Sequence, residues 1–289
     1  MRRAVLLLLA LAAVPMRAER HYPATGLVLK LDRPAKTMVV SCDPIPSYMD
    51  AMVMPLTVRD VRLLDGVEPG ARIKFSLVVE KNDSFAEAVQ VLNYNSVEQE
   101  PLQARRLEIL SGLAGANSAA GRLKVGDSVP DFSLTDQLRR QVSLAQFSGK
   151  VVALNFVYTR CPLPQYCFRM ANNFGRLQKR FRERLGKDLV LLTVTFDPVH
   201  DQPEVLAEYA KTWKADAKVW HFLTGSQEDV NLLCDWFGVG YWQDEGTLTH
   251  SLHTAIIGRD GKLAANLEGN QFTPRQLGDL VQTILERPR

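Results

Sequence analysis

Between Gly26 and about Val91 the apolar residues come in short runs at every second position. Leu27, Leu29 and Leu31 alternate with other residues before a turn at Asp32-Arg33-Pro34, and Ile73, Phe75, Leu77 and Val79 alternate after Pro69-Gly70. Period two marks a strand with one buried face. Residues 38–40, 52–58 and 85–91 supply three further strands. Five strands in about 65 residues predict a small closed barrel of the OB type over residues 20–97, because closure removes edges that so small a sheet could not protect.

The pattern then changes. Residues 98–121 carry no periodicity and end in a small-residue run from Ser111 to Gly121, which reads as a linker. In residues 122–289 strands and helices alternate: a strand Val151–Val157, a helix over 165–185, a strand over 189–196 and a helix over 203–213. In the first helix Met170, Phe174, Leu177, Phe181 and Leu185 recur at three- and four-residue steps, with Arg176, Lys179, Arg180 and Arg184 on other faces. Val230, Leu233, Cys234 and Phe237 form another helical stripe. A hairpin follows over 254–267, and Thr273-Pro274 opens a last helix with Leu277, Leu280, Val281 and Ile284 inward. The order βαβα, hairpin, α is that of a thioredoxin-like α/β layer, so the chain is expected to hold two domains.

Composition adds little until the ends and the cysteines are considered. A net charge of +3 on 289 residues, with no basic stripe interleaved by aromatics, gives no footprint for nucleic acid. Arg2 and Arg3, the apolar run 4–14 and Pro15-Met16-Arg17-Ala18 match a secretory signal peptide over residues 1–18. Eleven apolar residues fall short of the about 20 needed to span a bilayer, so no membrane span is expected once the signal is removed. Export to a periplasmic or similar compartment puts Cys42, Cys161, Cys167 and Cys234 under oxidising conditions.

Cys161 and Cys167 flank Pro162-Leu163-Pro164-Gln165-Tyr166 where a buried strand passes into a helix. A helix N-terminus favours a thiolate. Six positions on one continuous helix would set the two residues about 240° apart around the axis and roughly 9 Å apart along it. Cys161 is therefore expected in the loop, with the prolines keeping the interval out of the helix. So arranged, the thiols could form a disulfide or share a metal. Cys234 reads as a buried small hydrophobe, and His21, His200 and His221 as surface or satisfied histidines.

Residues 122–289 resemble the Sco/SenC family of thioredoxin-fold copper proteins. The resemblance is carried by Val125-Gly126-Asp127-Ser128-Val129-Pro130-Asp131-Phe132, by Gly149-Lys150 leading into Asn155-Phe156-Val157-Tyr158-Thr159-Arg160-Cys161-Pro162, and by Asp197-Pro198 with Asp201 and Pro203. Phe222-Leu223-Thr224-Gly225 and His250, eight residues before Gly258, complete it. It implies copper held by Cys161, Cys167 and His250, and a role in assembling the binuclear copper centre of cytochrome c oxidase. The family usually has three residues between its cysteines; here there are five. Thiolates suit Cu(I) and an imidazole can hold Cu(II), so such a trio serves both oxidation states. His253 is the rival ligand; on one extended strand it would face away from His250. Residues 247–254 contain no proline where thiol oxidoreductases of this fold carry one, which argues against ordinary disulfide exchange. A peroxiredoxin would need Thr and Pro three and seven residues before its cysteine, where Tyr158 and Leu154 stand.

In the first domain Met52 and Met54 lie two apart on a strand, and Cys42 ends the strand before them. The bland alternative is methionine filling a small barrel. With the Pro44-Ile45-Pro46 turn, Met49, Pro55 and Pro69-Gly70, the stretch resembles the CusF family of periplasmic copper-binding barrels. That resemblance implies a Cu(I) site made by Cys42, at the family's histidine position, with Met52, Met54 and Met49, which stands where an aromatic often lies. The combined expectation is an exported copper chaperone, rather than an enzyme, serving a cuproprotein acceptor such as cytochrome c oxidase subunit II. The alternatives are a thiol-disulfide reductase using Cys161 and Cys167 as its redox pair, and a copper-resistance buffer.

Overall fold

The computed structural model describes residues 20–80, 83–92, 121–244 and 247–288. The expected signal peptide, 1–18, and all but the last residue of the expected linker lie outside the described residues. Among the described residues no helix is long and apolar enough to cross a membrane.

The first domain is the barrel that the alternation predicts. Its strands are β1 (Arg20–Asp32), β2 (Thr37–Cys42), β3 (Val53–Val58), β4 (Arg72–Val79) and β5 (Ser84–Val91), closed in the order β1-β2-β3-β5-β4. Strand β1 serves two neighbours: residues 20–27 pair with β4 and residues 26–32 with β2. The pairings overlap at Gly26 and Leu27, and at Gly26 a Cβ would come within 2.5 Å of Val40 Cγ1 and 2.9 Å of the Ser41 carbonyl oxygen, so glycine is required for the close approach. A parallel pairing of Thr57 with Phe85 closes the ring. Val28, Met38, Val40, Cys42, Leu56, Ile73, Phe75 and Leu77 fill the inside.

The second domain comprises β6 (Ser133–Asp136), β7 (Gln141–Ser143), β8 (Val151–Val157), α1 (Arg169–Arg180), β9 (Leu189–Thr195), α2 (Pro203–Thr212), β10 (Trp220–Thr224), α3 (Gln227–Phe237), β11 (Tyr241–Asp244), β12 (Thr247–His250), β13 (His253–Ile257), β14 (Leu263–Glu268) and α4 (Pro274–Leu285). Seven strands form one sheet in the order β14-β13-β8-β9-β10-β6-β7, with β8, β9 and β10 parallel and β13 antiparallel to β8. Every side chain of β8 and β9 is buried, as expected of central parallel strands covered on both faces. This is the thioredoxin-like layer. The helix expected over 165–185 is shorter: one wide turn, Pro164–Phe168, precedes α1. The short strands β6, β7, β11 and β12 were too brief to give a periodic signal.

The two domains are docked. Leu27 and Leu29, which alternate along β1, do not face the barrel interior; they are fully buried in the core of the second domain, while Val28 between them points into the barrel. Around this apolar contact α4 grips the end of β2. Gln276, completely buried, donates from Nε2 to the Ser41 carbonyl and to Asp43 Oδ1, both at 3.0 Å. Arg275 donates to the Cys42 carbonyl at 2.8 Å, and Ser41 Oγ to Asp279 Oδ2 at 2.8 Å. Arg72 and Thr25 complete the partners of Asp43. Buried polar groups matched this way hold a register, and removing one partner strands the others.

Replacing Leu29 by Asp puts an unpaired carboxylate into that contact and is expected to undock the barrel. Scanning calorimetry should then resolve two transitions where the native chain gives one; a single unaltered transition would contradict the docking.

Candidate metal centre

Strand β8 ends at Val157 and releases the chain into residues 158–163, so Cys161 sits in a loop above the sheet, as the spacing argument required. The wide turn that follows brings Cys167 back beneath it. From the other side, β12 ends at His250, paired with Tyr241 of β11. The Sγ atoms of Cys161 and Cys167 and a ring nitrogen of His250 all lie within 4.8 Å of one another. Among the described residues, the structure thus brings together the two cysteines and the histidine that the Sco/SenC resemblance implies. His253 is not part of it. Residues 251–252 separate β12 from β13, so the two histidines do not share one extended strand. His253 is buried beside Asn266 (Nδ1 to Oδ1, 3.3 Å), and burial pushes its pKa down to about 3.

The two thiols are unequal. Cys161 is half-buried, and its pKa is lowered to about 4, first by a hydrogen bond from Cys167 and further by His250 and the backbone at Leu163 and Cys167, against the opposing effect of burial. Cys167 is 1% exposed, and burial, then the neighbouring Cys161, push its pKa well up. The pair is thus biased toward a Cys161 thiolate and a Cys167 thiol, and Cys167 Sγ lies 3.6 Å from His250 Nε2. His250 Nδ1 donates to the Ser251 carbonyl at 2.9 Å. That bond turns Nε2 toward the sulfurs, the ring orientation that a metal held there needs. Two soft sulfurs and one imidazole fit copper in either oxidation state, and loading would displace the Cys167 proton.

The loop is anchored from below by a residue that sequence reasoning noted only as part of a motif. Asp201 is fully buried and accepts from Thr159 N (3.0 Å), Thr159 Oγ1 (2.5 Å) and Thr195 Oγ1 (2.5 Å), tying the β8 loop to β9. Arg160 reaches Asp197 at 2.7 Å. Aromatic rings of Tyr158, Tyr166 and Phe196 surround His250. Their convergence had no sequence signal, because it joins three separate elements.

In the barrel, Cys42 lies fully buried at the end of β2, its pKa pushed up to about 12 by burial and by Asp43. Its backbone N–H donates to the Met52 carbonyl at 2.8 Å, so the two residues are cross-strand neighbours. Met54 and Met49 pack half-buried against the barrel core, whereas Met52 is 48% exposed. Of the two methionines that lie two apart, Met54 is therefore covered by the barrel and Met52 stands exposed at its edge. Tyr48 stacks on Tyr22 at 3.8 Å between ring centroids beside this stretch.

Iodoacetamide labelling of the reduced protein with peptide mapping should show Cys161 reacting with a midpoint near pH 4 and Cys167 silent through neutrality. A Cys161 rate that rises only near the free-thiol value, about 8.5, would contradict the thiolate assignment.

Comparison with known proteins agrees with the two-domain layout. Residues 21–90 match the family model "Copper binding periplasmic protein CusF", and residues 121–286 match the family model SCO1/SenC. A "Putative copper-binding protein" of Stutzerimonas stutzeri is 31% identical over 164 residues, 54% of this chain and 75% of that protein. The "SCO1 protein homolog" of Bacillus subtilis is 27% identical over 50% of this chain and 76% of its own. "Peroxiredoxin Bcp" of Escherichia coli is 31% identical over 49% of this chain and 83% of its own, although Tyr158 and Leu154 replace the threonine and proline a peroxiredoxin carries. The match to the SCO1/SenC model over more than half of its length places the chain in the SCO1/SenC family, with a CusF-like barrel at its N-terminal end.

Proposed function

We propose that the protein is an exported copper chaperone in which Cys161, Cys167 and His250 hold one copper ion and the barrel, through Cys42, Met49, Met52 and Met54, holds a second as Cu(I). The observation that carries this reading is the triad: two sulfurs and an imidazole nitrogen within 4.8 Å, on elements the fold fixes. A donor set of two thiolates and one imidazole binds Cu(I) through sulfur and accommodates Cu(II) through nitrogen. The family models and the copper-binding name of the Stutzerimonas relative support the same ion. Delivery goes to a cuproprotein acceptor that offers thiolates of its own, of which cytochrome c oxidase subunit II is the leading case. The periplasmic setting rests on residues 2–18 and on the CusF match.

A second reading keeps support from the thiol pair. A low-pKa Cys161 thiolate beside a buried Cys167 thiol is the arrangement of a thiol-disulfide reductase. In that chemistry Cys161 attacks a partner disulfide, Cys167 resolves the mixed disulfide, and the partner leaves with two thiols while Cys161 and Cys167 become a disulfide.

Reduced protein titrated against a Cu(I) chelator should bind about two ions per chain, with Cys161→Ser and Cys42→Ser each losing one. His250→Ala should keep Cu(I) at the triad through its thiolates and lose the Cu(II) charge-transfer band. A triad that takes no copper but turns over a protein disulfide would favour the reductase.

A further inference from the structure

His250 is boxed by three rings. Phe196 lies 4.6 Å away between centroids, Tyr158 stands edge-on at 5.7 Å and 86°, and Tyr166 edge-on at 6.2 Å and 70°. Phe196 and Tyr158 follow directly from the ends of β9 and β8. Tyr166 has a different origin. It belongs to the wide turn Pro164–Phe168, and its backbone (φ −104°, ψ −107°) leaves the helical region in the middle of that turn. On a regular helix a side chain follows the spiral of its neighbours; the departure lets the Tyr166 ring turn inward, where it is 8% exposed. The turn is pinned at both ends to the segment before α4. The Asn270 side chain donates to the Gln165 carbonyl, and Arg169 donates to the Phe272 carbonyl at 3.4 Å.

The consequence is a triad with one open side. Cys167 and His250 are 1% and 8% exposed, whereas Cys161 is half-buried between exposed Arg160 and Pro162. We propose that Tyr166 is the wall that closes the Cys167–His250 side of the centre, so that an incoming thiolate meets the bound ion only at Cys161. This rests on the copper reading above and adds an order to ligand exchange. The incoming thiolate forms its bond to copper as the bond to Cys161 Sγ breaks; thiolate replaces thiolate, copper stays Cu(I), and no electron moves. Cys167 and His250 remain on the ion until a second partner ligand arrives. The five-residue spacing of the cysteines thereby acquires a role, since it supplies the turn that carries the ring.

The test uses the full chain, first without metal. Per-cysteine alkylation of the reduced protein should find Cys167 labelled about tenfold faster in Tyr166→Ala than in the native chain, with Cys234 unchanged as the control for folding. Tyr166→Phe, which keeps the ring, should leave Cys167 protected, and Tyr166→Leu, which keeps most of the apolar volume should the alanine variant unfold, should fall between. An unchanged Cys167 rate in both Ala and Leu variants, or a Phe variant as open as Ala, would overturn the proposal. The Cu(II)-loaded protein gives the second arm. Followed by electron paramagnetic resonance, an azide titration should saturate at one bound azide in the native chain, which enters over Cys161, and at two in Tyr166→Ala; a native chain that takes up two, or none, would overturn the proposal. If no copper loads, the alkylation arm still decides what Tyr166 shields, so failure of the copper reading is told apart from failure of the wall.

Discussion

Two sulfurs six positions apart can meet only where a helix gives way, and the centre depends on that constraint. A continuous helix from Cys161 would separate the sulfurs by about 9 Å along its axis. The chain instead leaves β8, places Cys161 in an open loop held by Asp201, and enters α1 through the wide turn Pro164–Phe168. The contact that results is a thiolate against a thiol. It holds the Cys161 pKa down, while the bond from His250 Nδ1 to the Ser251 carbonyl leaves Nε2 facing the sulfurs.

The strand and helix periodicities carried much of this in advance. Alternation along β1 to β5 was sufficient for a closed barrel, and the buried run of β8 with the stripe of Met170, Phe174 and Leu177 was sufficient for the layer beneath the cysteines. The triad was readable because its residue types are rare and chemically narrow. Tyr166 was not, because a period of 3.6 presumes α geometry and the wide turn breaks it within the motif itself. Met52 shows the converse limit: the pattern put it on one strand with Met54, but it stands just before β3 and its side chain is exposed.

The docking of the barrel was likewise hidden in a pattern that looked complete. Leu27 and Leu29 satisfied the expectation of a barrel strand, yet their side chains belong to the other domain, and Val28 serves the barrel. A strand buried on both faces reads as one buried on either. The grip of Gln276, Arg275 and Asp279 on residues 41–43 shows that the Cys42 end of the barrel is held against α4, whose preceding segment also holds the cysteine turn through Asn270 and Phe272. The two sulfur-bearing stretches are therefore braced by one short piece of chain, residues 270–276, in addition to any covalent tether.

Everything above turns on Cys161, Cys167 and His250 acting together as one copper site. X-ray absorption at the copper edge, on a Cys42→Ser chain loaded with a single equivalent, addresses it most directly. Two sulfur scatterers and one imidazole are expected around each ion, with the imidazole lost in His250→Ala. A spectrum without the paired sulfurs, or with imidazole scattering that persists after His250 is removed, would contradict it.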